Sequence, residues 1–296
     1  MAQKVQIPDS LKTDLPQNKW GKILAATPVV MAVIATMLAG LASSEMTKAQ
    51  YDRSSAAELQ SKAGDQWNYA ADKKNRGAMA RNSLDTLAAS VPIHSLSADG
   101  LPGADDATVA AFTKGQVPAV TKPKYDDDVK TALDAFAAGK PESEITADLA
   151  RVKDAQLSDA LAAANQSAND FDAATKTINS FSDKYDAQLM AAGTPETFRD
   201  FAAARLTYTA ARYDMEARLN QAVAGVYELQ VREYNISADK HHRRSAKFFY
   251  GMLAAQMGVI IATFALAARQ KNFLWALAAA AGSAAVAFSV YVYLCV

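Results

Sequence analysis

The sequence predicts an all-α membrane protein, in which three transmembrane helices carry a long helical-bundle or coiled-coil extramembrane domain inserted between the first and second spans. Three observations lead to this fold class: three uncharged apolar runs, few helix-breaking residues between positions 44 and 90, and heptad-like apolar spacing in two later segments. The 296 residues include 31 Lys and Arg and 31 Asp and Glu, so net charge favours no class of partner.

The apolar runs predict the spans. The first covers residues 23–42 (ILAATPVVMAVIATMLAGLA), and as a helix it would be about 30 Å long, which is the hydrocarbon thickness of a bilayer. The others, Phe248 to Ala268 and Phe273 to Val296, are separated by only four residues and indicate a transmembrane hairpin. A cleaved signal peptide ending after Ala42 is the alternative for the first run, but its apolar core is longer than usual.

The segment between the spans is predicted to be helical. After an N-terminal tail (1–22) and a first span (23–43), we expect an extramembrane domain over 44–246 and further spans at 247–268 and 273–296. Within the domain we expect a stalk helix over 44–90 that ends before Pro92, a Pro- and Gly-rich connection with short helices over 92–140, and long helices over 141–190 and 195–246. Apolar residues at alternating steps of three and four from Leu157 to Leu189 and from Phe198 to Ile236 indicate coiled-coil-like packing. Both a straight antiparallel bundle and a shorter stalk with a cap fit these lengths.

The stretch DKHHRRSAKFFYGM (239–252) places basic and aromatic residues at the start of the second run. This combination is typical of the lipid headgroup region. The predicted membrane-interface residues are Trp20, Lys22, Lys240, Arg243, Arg244, Lys247, Phe248, Phe249, Tyr250, Arg269, Lys271 and Trp275. A metal site at His241 and His242 is disfavoured, because adjacent helical residues point about 100° apart and His94 is the only other histidine.

Small residues in the second and third runs predict helix packing inside the membrane. The predicted span-packing residues are Gly251, Ala255, Gln256, Gly258, Ala262 and Gly282. Small side chains let helices approach closely, and the Gln256 amide could hydrogen-bond across a contact within the chain or between copies. Trp67 and Tyr69 are candidate partner contacts, with packing inside the bundle as the simpler interpretation.

Motifs for catalysis are missing from the sequence. It contains no Gly-rich phosphate loop, HExxH, GxSxG or CxxC, and only one cysteine and three histidines. We therefore expect a non-enzyme with no cofactor and no bound metal. The basic stretch is too short to indicate nucleic-acid binding. The expected partners are membrane lipid and either other membrane proteins or further copies of this chain.

Two terminal segments carry a resemblance to a known family. They are SSEMTKAQYDRSSAAELQSKAGDQWNYAADKKNRG (43–77) and HHRRSAKFFYGMLAAQMGVIIATFALAARQKNFLWALAAAAG (241–282), together about a quarter of the chain. Both resemble the bacterial membrane-protein family described as domain of unknown function 4337, chiefly at Asp65, Gln66 and Trp67 and at the QKNFLW turn. The resemblance implies a bacterial, helical membrane protein, for which the inner membrane is expected, and it implies no activity.

These observations favour a structural or accessory membrane protein that mediates assembly through helix packing. The alternatives are a signalling or receptor-type adaptor with a ligand-bearing tip near residues 92–140, and an oligomeric channel or transporter component. Cations flank the spans equally on both sides, so the positive-inside rule does not decide orientation. We favour a periplasmic domain over a cytoplasmic one, because a tight loop with Arg269 and Lys271 is hard to translocate.

Overall fold

Most of the described part of the chain is helical. The computed structural model describes residues 19–96, 106–267 and 273–295, and it is 88% helix with no strand among those residues. Their helices are α1 (Lys19–Ser90), α2 (Asp106–Thr113), α3 (Asp127–Ala137), α4 (Glu142–Leu149), α5 (Asp154–Ala192), α6 (Pro195–Ala267) and α7 (Phe273–Cys295). Three of them, α1, α6 and α7, are long and apolar enough to cross a membrane.

The chain forms two compact units. The first comprises the described residues of 1–54 and 235–296, and the second comprises Ser55–Tyr234. Residues 44–54 and 235–246 therefore belong to the unit that contains the apolar runs, although the sequence analysis assigned them to the inserted domain. Direct side-chain contacts between α1 and α6 explain this grouping, among them the bond that the Ser237 hydroxyl donates to Asp52 at 2.7 Å.

The first unit has a core of small and apolar side chains from α1, α6 and α7. One cluster consists of Ala35, Leu38, Ala42, Phe248, Ala255, Ala285 and Val292. A second consists of Ala262, Ala265, Trp275 and Ala278. The many alanines in both clusters allow the three helices to approach closely.

The second unit has two cores. In the first, the Phe112 ring from α2 lies 5.6, 5.4 and 5.8 Å, between ring centroids, from Phe181, Phe201 and Tyr208. The second core joins α3, α4, α5 and α6. Its buried residues are Val129, Ala132, Ala135, Ile145, Leu149, Leu157, Ala160, Val226 and Leu229. Segment 92–140, expected as a connection, thus contributes to both cores through α2 and α3.

One expected helix is interrupted. The segment predicted as a single helix over 141–190 divides into α4, which ends at Leu149, and α5, which begins at Asp154. The Lys153 backbone N–H donates to Gln156 Oε1 at 2.7 Å, so that a new helix N-terminus is capped at the break. The interruption allows Ile145 and Leu149 to reach the core formed with α3.

A repeat of small residues on α1 was missed by the sequence analysis. Buried alanine or glycine recurs at every seventh position, as Ala35, Ala42 and Ala49 in the first unit and Ala56, Ala63, Ala70 and Gly77 in the second. A matching repeat on α6 places Ala203, Ala210, Ala217 and Ala224 in the second unit and Ala238 and Ser245 in the first. The period of seven is present in the sequence, but alanine indicates a buried position more weakly than a large apolar residue does.

The repeat brings α1 and α6 into close antiparallel contact within the second unit. A Cβ atom on Gly77 would lie 3.5 Å from the Ala210 carbonyl oxygen, and Arg81 Nη1 lies 2.6 Å from Asp214 Oδ2. Lys73 Nζ lies 2.5 Å from Glu216 Oε2, so of the two ion pairs the later α1 residue, Arg81, pairs with the earlier α6 residue, Asp214, as in antiparallel helices. The small alanine side chains of the repeat allow the backbones of α1 and α6 to approach this closely.

Candidate membrane anchor and span-packing site

Met31 of α1 joins the three apolar helices of the first unit. Its buried side chain lies between Gly258 of α6 and Gly282 of α7. A Cβ atom on Gly258 would overlap the Met31 methyl group, and one on Gly282 would lie 2.5 Å from Met31 Sδ. Both separations are shorter than real Cβ atoms show, so the end of the Met31 side chain would have to shift if either glycine carried a side chain. The two glycines therefore form the recess that receives Met31.

Other predicted span-packing residues lie on the same side of α6. Ala255 and Ala262 are fully buried, and a Cβ on Gly251 would lie 3.4 Å from both Leu38 Cδ1 and Ser289 Oγ. These contacts lie within one chain. Gln256 differs, because it is exposed on an adjacent side of α6 and makes no contact of this kind. Of the two contacts expected for its amide, the one within the chain is not formed, since one residue on a helix turns the side chain by about 100°, and the one between copies stays a prediction.

Gln256 lies instead in an apolar crevice between α1 and α6. One part of the crevice has a volume of about 500 Å³ and is lined by Ala32, Ala35, Thr36, Ala39, Gln256, Val259 and Ile260. A second part, also of about 500 Å³, is lined by Ala39, Ala42, Ser43, Met46, Ser245, Ala246, Phe249, Tyr250 and Met252. Ala39 lines both parts, so they follow one another along the two helices.

A polar cluster joins α1 and α6 beyond this crevice. His241 Nδ1 lies 2.6 Å from Glu45 Oε2, and His241 Nε2 lies 4.0 Å from Asp52 Oδ2. Lys48 Nζ donates to Glu45 at 2.9 Å, and the buried Ser245 hydroxyl donates to the Ala42 carbonyl oxygen at 2.7 Å. The imidazole therefore lies between two carboxylates.

The electrostatics of this cluster favour a charged Glu45. Burial would raise the pKa of the Glu45 carboxyl, but hydrogen bonds from His241 and Lys48, together with their positive charges, outweigh burial and hold the pKa below 4.5. Among the described residues no group of three or more His, Cys, Asp or Glu could hold a metal ion. The sequence analysis missed the pairing, although Glu45 and Asp52 are seven residues apart and so share one face of α1.

The predicted membrane-interface residues divide into three groups. Lys240, Arg243, Phe249 and Tyr250 are exposed, Arg244 and Lys247 are half-buried, and Lys247 Nζ lies 5.8 Å from the centroid of the Tyr291 ring. Phe248 and Trp275 are only 4% and 8% exposed and pack in the two apolar clusters, so their side chains contact neighbouring helices, and their assignment to the headgroup region stays a prediction. Trp20 and Lys22 lie in α1, but their side chains, like all of Arg269 and Lys271, fall outside the described residues.

The two candidate partner contacts lie in the second unit. Trp67 is half-buried and Tyr69 is exposed. Tyr69 lines a polar cavity of about 190 Å³ together with Lys73, Asp172 and Glu216. Burial, followed by the nearby Glu216 carboxylate, raises the pKa of Asp172, and Lys73 and Arg212 oppose that shift. The cavity is lined by charged side chains from several helices, and the charges of Lys73 and Glu216 compensate each other because the two side chains form an ion pair.

Comparison with known proteins gives no match: no family model, curated protein or solved structure is significantly similar to this chain. The resemblance of the terminal segments to a bacterial membrane-protein family stays an expectation. The function is therefore argued from the residues and their geometry.

Proposed function

We propose that this protein is a membrane-anchored structural or accessory subunit that mediates assembly through helix packing. Its anchor is the first unit, in a bacterial inner membrane, and helix surfaces of both units carry the assembly contacts. Its partners are lipid and other membrane proteins or copies of itself. Helix contacts, rather than a chemical step, carry the function.

The seating of Met31 between Gly258 and Gly282 carries this proposal. It joins three separate apolar helices at one point, and such an interlocked set of small residues is the usual means by which spans associate in lipid. The exposed apolar side chains of the same helices support lipid contact. They include Val29, Val33 and Met37 on α1, Leu253 and Phe264 on α6, and Val286 and Val290 on α7.

The charged second unit supports an extramembrane position between the first and second spans. Its surface carries ion pairs such as Glu58 with Lys62 at 2.7 Å and Asp72 with Arg76 at 2.9 Å. Groups of this kind are costly to place in hydrocarbon. We infer an accessory role because the anchor would keep the polar helical surface of the second unit at the membrane, where other membrane proteins can bind it.

The test is the mass of the intact particle after purification from its native membrane in a mild detergent. We expect either a fixed stoichiometry with other membrane proteins or a defined number of copies of this chain. A chain that purifies from membranes as a monomer, with no partner in constant ratio after gentle crosslinking, would contradict an assembly role. A chain found only in the soluble fraction would contradict the anchor.

A further inference from the structure

We propose that the crevice between α1 and α6 is the surface on which a second copy of this chain docks, with the two Gln256 amides hydrogen-bonded to each other. This inference rests on the proposed function, since it requires the first unit to lie in the membrane. It names the occupant of one surface, whereas the proposed function allows either identical or different partners.

The position of Gln256 makes the crevice unlike a lipid-facing surface. The residue lies eight positions after Phe248 and twelve before Ala268, near the middle of the apolar run of α6. The side chain is exposed, and among the described residues none hydrogen-bonds its amide. Thr36 lies in the same crevice, but its hydroxyl is satisfied by the Ala32 carbonyl oxygen at 2.9 Å. Gln256 therefore presents an unpaired donor and acceptor at membrane depth, where an unsatisfied amide is costly.

An acyl chain cannot satisfy this amide, because it has no hydrogen-bonding group. A different membrane protein could do so only if it carried a polar residue at the same depth. A second copy meets that condition without further requirement, because identical chains in one membrane place Gln256 at equal depth. A carboxamide is also self-complementary, so each copy can donate to the carbonyl of the other about a two-fold axis.

The walls of the crevice fit an approaching helix. Ala32, Ala35 and Ala39 follow one another on α1 at steps of three and four, and such small residues permit close helix approach. On the α6 side Val259 and Ile260 flank the amide with apolar side chains. Met31 already occupies the recess at Gly258 and Gly282, whereas the small residues of this crevice contact no other helix of the described chain at its open side.

The experiment is disulfide crosslinking in native membranes, with Cys295→Ser as the background. Ile260→Cys lies beside Gln256 in the crevice, and Leu277→Cys on α7 is the matched control because the two native side chains are 49% and 44% exposed. On mild oxidation we expect dimers from Ile260→Cys and none from Leu277→Cys. Adding Gln256→Leu to Ile260→Cys should lower the association constant about tenfold, the scale of one to two kcal/mol that an intramembrane hydrogen bond contributes, without changing helix content.

The other outcomes separate this inference from the proposed function. Equal crosslinking at both positions, or dimers unaffected by Gln256→Leu, would overturn the docking surface. Crosslinking of Ile260→Cys to a different protein would overturn self-association and leave the accessory role standing. If no crosslink forms in a particle that still contains other membrane proteins in fixed ratio, self-association is likewise overturned and the accessory role stands. A monomer with no partner would end both proposals.

Discussion

At the scale of single residues, Tyr208 is the clearest case of a polar atom without compensation. Its side chain is buried in the aromatic core, and among the described residues its hydroxyl has no hydrogen-bond partner. Removing a buried unsatisfied hydroxyl while keeping the ring should stabilise the protein. We expect Tyr208→Phe to raise the free energy of unfolding by about 1 kcal/mol, measured by thermal unfolding in detergent. Phe112→Ala, in the same core, should instead lose about 3–5 kcal/mol.

The ionisation of Tyr208 gives this prediction a pH dependence. Burial raises the pKa of its phenol from 10 to about 12, with Glu216 adding to the shift and Arg212 opposing it. Because the folded-state pKa lies above the unfolded one, ionisation of this phenol leaves the free energy of unfolding unchanged below pH 10 and lowers it as the pH rises toward 12. The wild type should lose stability over this range more steeply than Tyr208→Phe. Parallel slopes for the two proteins would contradict the burial of an uncharged phenol.

His241 and His242 differ in what they contact, although they are adjacent in sequence. His241 lies 2.6 Å from Glu45, and His242 is exposed. We expect His241→Ala to lower the free energy of unfolding by about 2 kcal/mol at pH 7, since it leaves a nearly buried carboxylate with one partner fewer. His242→Ala is the matched control and should change it by less than about 0.5 kcal/mol.

Acid should remove the difference between wild type and His241→Ala. The pKa of Glu45 is lower in the folded protein than 4.5, with hydrogen bonds from His241 and Lys48 outweighing burial. The stabilisation from a depressed carboxyl pKa is complete above pH 4.5 and is lost as the pH falls through the folded-state value. The difference between the denaturation midpoints of the two proteins should therefore be smaller at pH 3 than at pH 7. A gap that stays constant would mean that His241 stabilises the unit by packing alone.

At the scale of helices, the recess for Met31 predicts a size-dependent defect. Gly282→Ala should cost about 1–3 kcal/mol, because the new methyl group meets Met31 Sδ at 2.5 Å. Met31→Ala in the same chain should recover part of this loss, so that the two substitutions are not additive. Gly40→Ala is the control, since a Cβ there has no heavy atom within 4 Å. Thermal unfolding of the four variants in one detergent checks the prediction.

The alanine repeat of α1 predicts a similar contrast between neighbouring positions. Ala70 is buried in the seam with α6, and Ala71 is exposed on the next residue of the same helix. Ala70→Leu should force the helices apart and cost about 1–3 kcal/mol or more. Ala71→Leu should stay within about 0.5 kcal/mol of wild type. Equal effects at both positions would show that the seam is not tightly packed.

The elements also show what the sequence could and could not predict. Uncharged length predicted the apolar helices, and the short helices expected within 92–140 are present as α2 and α3. The break between α4 and α5 depends on Ile145 and Leu149 reaching α3, a tertiary contact that no local pattern shows. The α1 seam was missed because alanine signals burial only weakly. The sequence left open whether Gln256 contacts a span of its own chain or of another copy, because small-residue spacing does not specify which side a neighbouring residue faces.

At the scale of the whole molecule, the proposed spanning of the membrane by α1, α6 and α7 predicts that the N-terminus and the second unit lie on opposite sides of the membrane. The cations around the spans do not decide which side is which, but the four-residue segment 269–272 carries Arg269 and Lys271, and short cationic loops are retained in the cytoplasm. The N-terminus should therefore be cytoplasmic and the second unit periplasmic. Single cysteines report this, with Cys295→Ser as the background, Lys4→Cys for the N-terminal tail and Ala88→Cys for an exposed position of the second unit.

A membrane-impermeant maleimide, added to cells with a permeabilised outer membrane, should label Ala88→Cys at once and Lys4→Cys only after lysis. The reverse pattern would keep the three spans and invert the orientation, because it still places the two positions on opposite sides. Labelling of both positions before lysis would mean that an even number of apolar helices crosses between them. In that case α1 would not cross the membrane. The contact of Met31 with Gly258 and Gly282 would then lie outside the hydrocarbon region.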